Sequence, residues 1–424
     1  MKSVGIVICN YNRSDYILQC IQSVIESKFQ DFDIYVVDNA STDNSVELIQ
    51  KQYGDKVELI VNEENLGGSG GFNTGLRRAL KKHYKYLMCI DNDVLLDENA
   101  IGALYYFLEI HTNVGMAGCK VYHMECPDYV QEFGVKIDFE HFCVEPNYLN
   151  HIEDGTMPEV IYCDSVAACS LMIRTSVVKR IGIMPEDNFL YWDDVEWCYR
   201  CKQAGYKVAS YGKAKALHAM GAKKEIVNTF PTYYAWRNWI AFFIKYTPPI
   251  KLEKMVETFL NSIFNIIYEG FYRDEKSRMK TVMYAYDDAL HQVVGKASDG
   301  KIFPVDSSDD KLAGLIKNKN RIFIDSNNYD VYKEDLINRI KNINPNTELI
   351  VDPLEKSDIS FTFCSDIFKI KDFSLKTIYI DIFDNILATN EDISKVINYS
   401  CSRENFIYSQ KPLFIHMIKE MRRL

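Results

Sequence analysis

Two carboxylates set two positions apart, Asp91 and Asp93 in "DND", directly follow the apolar run "YKYLMCI". At the end of a strand both can point the same way. Two hard oxygens there suit Mg²⁺ or Mn²⁺, with water and diphosphate oxygens completing the shell. A second acidic group stands in "FLYWDDVEWCYR", where Asp193, Asp194 and Glu196 lie between Trp192 and Trp197 at a helix start. Acids in a first helical turn are stabilised by the macrodipole. A carboxylate held against aromatic walls is also placed to take a proton from an incoming hydroxyl. His218, in "ALHAMG", follows a further strand and is a candidate third ligand for the Asp93 cation.

The stretch "NLGGSGGFNTG", residues 65–75, has five glycines in eleven positions. No register of it gives G-x-G-x-x-G, it follows the third strand and not the first, and no Walker A lysine accompanies it, which disfavours a dinucleotide-dependent dehydrogenase. Bare backbone lets a bulky ligand sit close, so the expectation is a loop forming a floor under a sugar diphosphate.

These residues need a frame. The first hundred residues alternate strand and helix: strands at Val4–Asn10, Asp33–Asn39, Lys56–Asn62 and Tyr84–Ile90, helices at Ser14–Lys28, Asp43–Tyr53 (capped by Ser41 or Thr42) and Phe72–His83. Such alternation means a mostly parallel sheet covered on both sides. Ligands of such a sheet lie at the carboxyl ends of the strands. The polar groups after the four strands, Asn10 to Arg13, Asp38 to Ser41, Asn65 with the glycines, and Asp91 to Asp93, should therefore line one rim. Beyond them, "YCDSVAACSLMIR" reads as strand, Val195–Ala204 as a helix stopped by Gly205, and Thr232–Lys245 as an aromatic helix. Helix follows from Leu252 to Val294, then a polar linker, Gly295–Asp310. The remainder carries strands at "RIFIDSN", "TELIVD" and "TIYIDIF", with helices at Val331–Asn342 and Pro412–Arg423.

The chain has 424 residues and a formal net charge of −10, which disfavours a nucleic-acid partner needing a basic surface. Its 12 cysteines show no disulfide framework, and no secretory signal opens the sequence, so reduced thiols and a cytoplasmic location are expected. Cys198 and Cys201 read as two small residues one helical turn apart. No stretch reaches the roughly 18 apolar residues of a membrane span, although the aromatic Tyr233–Tyr246 segment with Arg237 and Lys245 could lie at a bilayer surface.

Taken in order, "VICNYNR", "VVDNASTDNS", "NLGGSGGFNTG", "DND" and "WDDVEWCYR" resemble the family 2 glycosyltransferases of the GT-A fold, over residues 4 to about 240. The resemblance implies a nucleotide-sugar donor, a divalent metal (Mn²⁺ or Mg²⁺) and inversion at the anomeric carbon. It implies donor binding by Asn10, Arg13, Asp38, Asn39, Asn65, Gly67, Gly68, Asp91, Asn92 and Trp192, with Trp192 packed on a sugar face. Metal binding falls to Asp91, Asp93 and His218. Asp194 matches the general base, preceded by Asp193 where the family more often has Glu. The glycine stretch, the Trp-Asp-Asp wording and "YYAWRNW" (Tyr233 to Trp239) look most like galactofuranosyltransferases, with dTDP-rhamnose-using rhamnosyltransferases close behind.

The implied acceptor is a glycan, lipid-linked at the inner face of the cell membrane, in surface polysaccharide synthesis. The large polymerising galactofuranosyltransferases carry an N-terminal β-domain. This sequence opens on the first GT-A strand, which argues against processive polymerisation. A sugar nucleotidyltransferase is the more distant alternative, although it has no use for an acceptor base. The expected organisation is a GT-A domain (1–246), a helical extension (247–298) and a small C-terminal α/β accessory or oligomer-forming domain (299–424).

Overall fold

A computed structural model describes residues 2–219, 229–305, 310–371 and 377–422. The chain divides into two compact units, Met1–Met255 with Tyr284–Lys301, and Val256–Met283 with Ile302–Leu424. Residues 247–298 are thus shared between the two.

The first unit opens with β1 (Val4–Asn10), α1 (Ile17–Ile25), β2 (Phe32–Asp38), α2 (Ser45–Tyr53), β3 (Glu58–Val61), α3 (Gly67–Ala79) and β4 (Tyr86–Asp91). These strands run parallel in the order β3-β2-β1-β4. Their continuous apolar runs are explained by burial on both faces. Val4, Ile6 and Ile8 pack with α1 in one cluster, while Val7 packs with Leu76 and Ala79 of α3 in another. Next come β5 (Val94–Leu96), α4 (Ala100–Ile110), β6 (Val114–His123), β7 (Val130–Glu132), the hairpin β8 (Val135–Asp138) and β9 (Cys143–Pro146), and β10 (Val160–Cys163). Then follow β11 (Ser170–Arg174), α5 (Thr175–Ile181), α6 (Asp193–Gln203), β12 (Lys207–His218) and α7 (Thr229–Tyr246). The full sheet runs β10-β12-β6-β11-β4-β1-β2-β3, with β11 antiparallel to both its neighbours. A parallel half is thus continued by a mixed half, consistent with the expected GT-A fold.

Several local expectations are corrected. The glycines are not a loop but the first turns of α3, which begins at Gly67 and not at Phe72. The bareness serves close packing: a Cβ on Gly71 would lie 2.4 Å from Cys9 Sγ, and one on Gly75 2.3 Å from Val7 Cγ1. Only Gly67 needs glycine for its backbone, at φ +76°. Neither Ser41 nor Thr42 caps α2; Ser41 Oγ instead accepts from Asn12 N–H, and Asp43 accepts from the Ser45 and Ser14 amides. "YCDSVAACSLMIR" is two strands, β10 and β11, joined by a turn. The aromatic α7 buries Tyr233, Tyr234, Arg237, Asn238, Phe242 and Phe243, so its aromatic stripe is core. Cys198 and Cys201 are buried on α6. No helix of the described residues is long and apolar enough to cross a membrane.

The helix expected over Leu252–Val294 is two, α8 (Leu252–Arg273) and α9 (Lys276–Leu290), broken where Asp274 takes φ +61°. The second unit continues with α10 (Lys311–Ile316), β13 (Arg321–Asp325), α11 (Asp330–Ile343), β14 (Glu348–Ile350), β15 (Ile359–Cys364), β16 (Ile378–Asp381), β17 (Ile386–Leu387) and α12 (Asn390–Arg422). Its sheet runs β14-β13-β15-β16-β17, parallel except for β17. Residues 306–309 of the expected linker lie outside the described residues, and its last residue, Asp310, caps α10 by accepting from the Leu312 and Ala313 amides. The last helix begins at Asn390 and carries Pro412 within it. A proline is favoured at a helix start, but in an interior it removes one donor and is tolerated where the rest of the helix is held.

Candidate active site

The parallel strands end together. Asn10 is level with Asp38, and Cys9 with both Val37 and Asp91. After Asp91 the chain turns through Asn92 and Asp93, and β5 then pairs antiparallel with β12 so that Val94 faces His218. That register brings His218 to Asp93. Asp93 Oδ1 lies 3.2 Å from His218 Nε2, and Asp93 Oδ2 lies 3.2 Å from Arg13 Nη1. Ligand atoms of Asp91, Asp93 and His218 lie within 4.8 Å of one another. On its far side His218 Nδ1 donates to Gln131 Oε1 at 2.7 Å, which turns Nε2 into the cluster. Burial alone would lower the His218 imidazole; the bond to Asp93 and the charge of Asp91 carry it above its ordinary value.

The acids of α6 join the same place. Asp194 Oδ2 accepts from Ala168 N–H at 3.2 Å and its Oδ1 from Val195 N–H at 2.7 Å. Ala168 belongs to a three-residue turn before β11 that touches three acids in succession. Ala167 N–H donates to Glu132 Oε1 at 3.0 Å, Ala168 N–H to Asp194, and Cys169 O accepts from Asp91 N–H at 3.3 Å. Burial and then crowding govern these groups. Asp91 is pushed up to about 7 by burial with the charges of Asp93 and Asp194, against the opposing charge of His218. Asp193 is pushed up to about 8 by burial and then Asp194. Glu132 reaches about 7 by burial and then Asp194, and burial also raises Asp194 against its backbone donors. Two hard carboxylates and an imidazole, with further acids close by and Arg13 beside Asp93, fit a divalent first-row cation.

The other expected donor residues are placed as follows. Asn10, buried, donates to Asp38 Oδ2 at 2.8 Å and accepts from Asn92 Nδ2 at 2.9 Å, so these three side chains first satisfy one another. Asn39 donates to Asn65 Oδ1 and Gly67 O, and accepts from Leu66 N–H, pinning the start of α3. Gly67 abuts the Phe189 carbonyl. Gly68 is the bare position nearest the acids, where a Cβ would lie 3.7 Å from Asp193 Oδ2. Arg13 spans Asp93 and Asp15 with its guanidinium over the Tyr16 ring. The half-buried Trp192 ring packs on Phe242 and Phe243 of α7, at centroid distances of 5.3 and 5.8 Å. Glu196 points away from the acids to Lys245 and Arg200.

Sequence reading missed Gln131, Glu132 and the turn at 167–169. They lie on β7 and in a loop, and only the folded sheet brings them to the strand ends. The adjacent polar pair "QE" inside a short apolar strand was the one available sign.

Residues 5–158 match the family described as Glycosyl transferase family 2. Among curated relatives, the teichoic acid poly(glycerol phosphate) polymerase of Staphylococcus epidermidis is 26% identical over 204 residues, 47% of this chain and 25% of that protein. The poly-beta-1,6-N-acetyl-D-glucosamine synthase of Staphylococcus aureus is 30% identical over 110 residues, 26% of this chain and 25% of its own length. The chain therefore spans about a quarter of the length of these relatives. Among solved structures, S. aureus TarS 1-349 in complex with UDP-GlcNAc is similar at TM-score 0.44 and 17% identity, covering 69% of this chain and 82% of that one. GalNAc-T7 with UDP, GalNAc and Mn²⁺ is similar at TM-score 0.45 and 13% identity, covering 59% and 52%. The family match thus falls within the first unit, over residues 5–158.

Proposed function

We propose that the first unit moves a sugar from a nucleotide-diphosphate donor to a hydroxyl of a glycan, with inversion at the anomeric carbon. The observation that carries this reading is the turn at Ala167–Cys169, which holds Asp194 and Asp91 to one side of the strand ends. A base and a cation-binding pair are thereby set around one space. Asp91, Asp93 and His218 would hold Mn²⁺ or Mg²⁺, which when bound neutralises charge on the departing diphosphate. Arg13 adds a fixed positive group at that point, and Asn10, Asp38 and Asn92 shape the nucleotide end of the rim. Asp194 takes the proton from the acceptor hydroxyl as it attacks C1; its raised affinity for protons favours that role. Asp193, holding a proton near neutrality, limits the negative charge beside it.

The wording of "NLGGSGGFNTG" and "WDDVEW" favours galactofuranose as the sugar, with rhamnose second. Relatives named for teichoic acid and poly-N-acetylglucosamine synthesis support a surface polymer as product, built on a lipid-linked acceptor at the inner face of the membrane. The test is a donor panel scored by nucleoside diphosphate release, with UDP-galactofuranose and dTDP-rhamnose first. Release of nucleoside diphosphate that depends on acceptor is expected. Release of inorganic diphosphate instead would mark a nucleotidyltransferase and overturn the proposal.

A further inference from the structure

The motif "YYAWRNW" has so far had no task. Its Arg237 and Asn238, 1% and 3% exposed, turn inward from α7 toward residues 187–192, the segment that leads into Asp193 and Asp194. That segment is strained. Phe189, Tyr191 and Trp192 stand at φ +61°, +63° and +66°, a conformation that residues bearing a Cβ avoid. Three such residues within four positions do not hold themselves.

The side chains of α7 supply the hold. Asn238 Nδ2 reaches the carbonyls of Asn188, Leu190 and Tyr191 at 2.8, 2.8 and 3.0 Å. Arg237 Nη2 donates to the carbonyls of Asn188 and Asp187 at 2.9 and 3.2 Å, and Nη1 to Gly295 O at 2.7 Å. Arg237 Nε donates to Asn238 Oδ1 at 2.9 Å, locking the two side chains together. The guanidinium lies over the rings of Tyr233 and Tyr234, and Phe189 stacks on Tyr234 at 4.9 Å. On the opposite side, Phe189 O accepts from Gly68 N–H at 2.8 Å, so the same segment joins α7 to the bare start of α3.

We infer that Arg237 and Asn238 are positioning residues for the transfer step: they clamp residues 187–192 in a left-handed course that delivers Asp193 and Asp194 to the Asp91–Asp93–His218 cluster. A buried guanidinium and amide, spent almost wholly on main-chain carbonyls, constrain backbone and leave their own charge and donors unused for chemistry. The inference rests on the glycosyl-transfer reading for the word "transfer", but the clamp itself does not need it.

The test uses the full chain with Asn238→Asp, isosteric but unable to donate, and Asn238→Ala. Three quantities are measured: kcat and KM for the donor, the Mn²⁺ dissociation constant, and hydrogen exchange of peptides covering 187–195 and 86–93. The expected result is a fall in kcat of about 100-fold, the scale set by a misplacement near 1 Å. Donor KM and Mn²⁺ affinity should stay within about twofold, and exchange should quicken over 187–195 only. Adding Tyr191→Gly to Asn238→Ala should recover part of the lost kcat, because glycine takes a positive φ without strain. Unchanged kcat, or a loss matched by weaker Mn²⁺ binding and faster exchange over 86–93, would overturn the inference. Should the wild-type protein turn over no donor, the reading of function falls, and the exchange measurement still decides the clamp: no change over 187–195 refutes it.

Discussion

Asp91 and Asp194 are tied to neighbouring residues of one turn: the Asp91 amide donates to Cys169 O at 3.3 Å, and Asp194 Oδ2 accepts from Ala168 N–H at 3.2 Å. One acid ends a parallel strand and the other stands at the start of a helix a hundred residues later, yet both are held by the backbone of one turn. Two acids tied in this way keep their separation while other side chains around them move.

Asp194→Asn removes the proton acceptor and keeps the shape. Turnover should drop by about 10²–10⁴-fold, the usual worth of a positioned base. Donor affinity, followed by calorimetry with Mn²⁺ present, should stay near that of the unaltered protein. An equal rate for both proteins would remove Asp194 from the chemistry.

Gln131 holds the His218 ring through Nδ1 and also donates to the His218 carbonyl at 3.4 Å. Outer partners of metal-bound histidines typically contribute 10–100-fold in metal affinity. Gln131→Leu should therefore weaken Mn²⁺ binding by about that factor, read by electron paramagnetic resonance of free Mn²⁺. Unaltered binding would argue that His218 is not a ligand.

In EDTA the cluster should make stability fall as pH rises. Asp91, Glu132 and Asp193 hold protons in the folded chain up to about 7, 7 and 8, whereas the unfolded chain releases them near the ordinary carboxyl range. Between those limits the folded state binds more protons, so its advantage is present at low pH and is lost through the folded values. His218, also raised, acts in the same direction. Melting should accordingly be higher at pH 5.5 than at pH 8, and Mn²⁺ should raise it more at pH 8, where its ligands are ionised. Asp193→Asn should flatten the profile. A Tm that rises with pH in EDTA would contradict this picture.

Gly75→Ala would drive a methyl group to 2.3 Å from Val7 Cγ1, and overpacking of this kind costs roughly 1–3 kcal/mol. Gly102→Ala, half-buried on α4 with Phe29 Cβ at an ordinary contact distance of 3.4 Å, should instead stabilise by roughly 0.5–1 kcal/mol. Denaturant midpoints of the two variants should move in opposite directions. A shared direction would mean that the close fit of α3 on β1 is not what demands the glycines.

How much of this was open to reading from sequence depends on whether the cause was local. The unbroken apolar strands announced a sheet buried on both faces, and the polar residues directly after them announced the rim. The glycines misled because their cause is distant: interior helical glycine is unfavourable, and only contact with Cys9 and Val7 explains it. The long α12 was read only in its last third, since its middle is polar and Pro412 looked like a beginning. The packing of Trp192 on α7 was equally hidden, because it follows from a left-handed turn at its own backbone that neighbouring residues do not foretell. Gln131 and Glu132 could not be found, because nothing in a three-residue strand foretells which strand lies beside it.

The Ala167–Cys169 turn also bears on how such a protein could be re-engineered. Its three peptide groups cannot be mutated away, and each serves a different acid, so reaction geometry here is insulated from side-chain drift. Under the proposed function, diversity in what is transferred, and to what, would be written at positions outside this turn and outside residues 187–192, such as half-exposed Tyr11. A library confined to those places explores new specificities without unsettling the reaction centre.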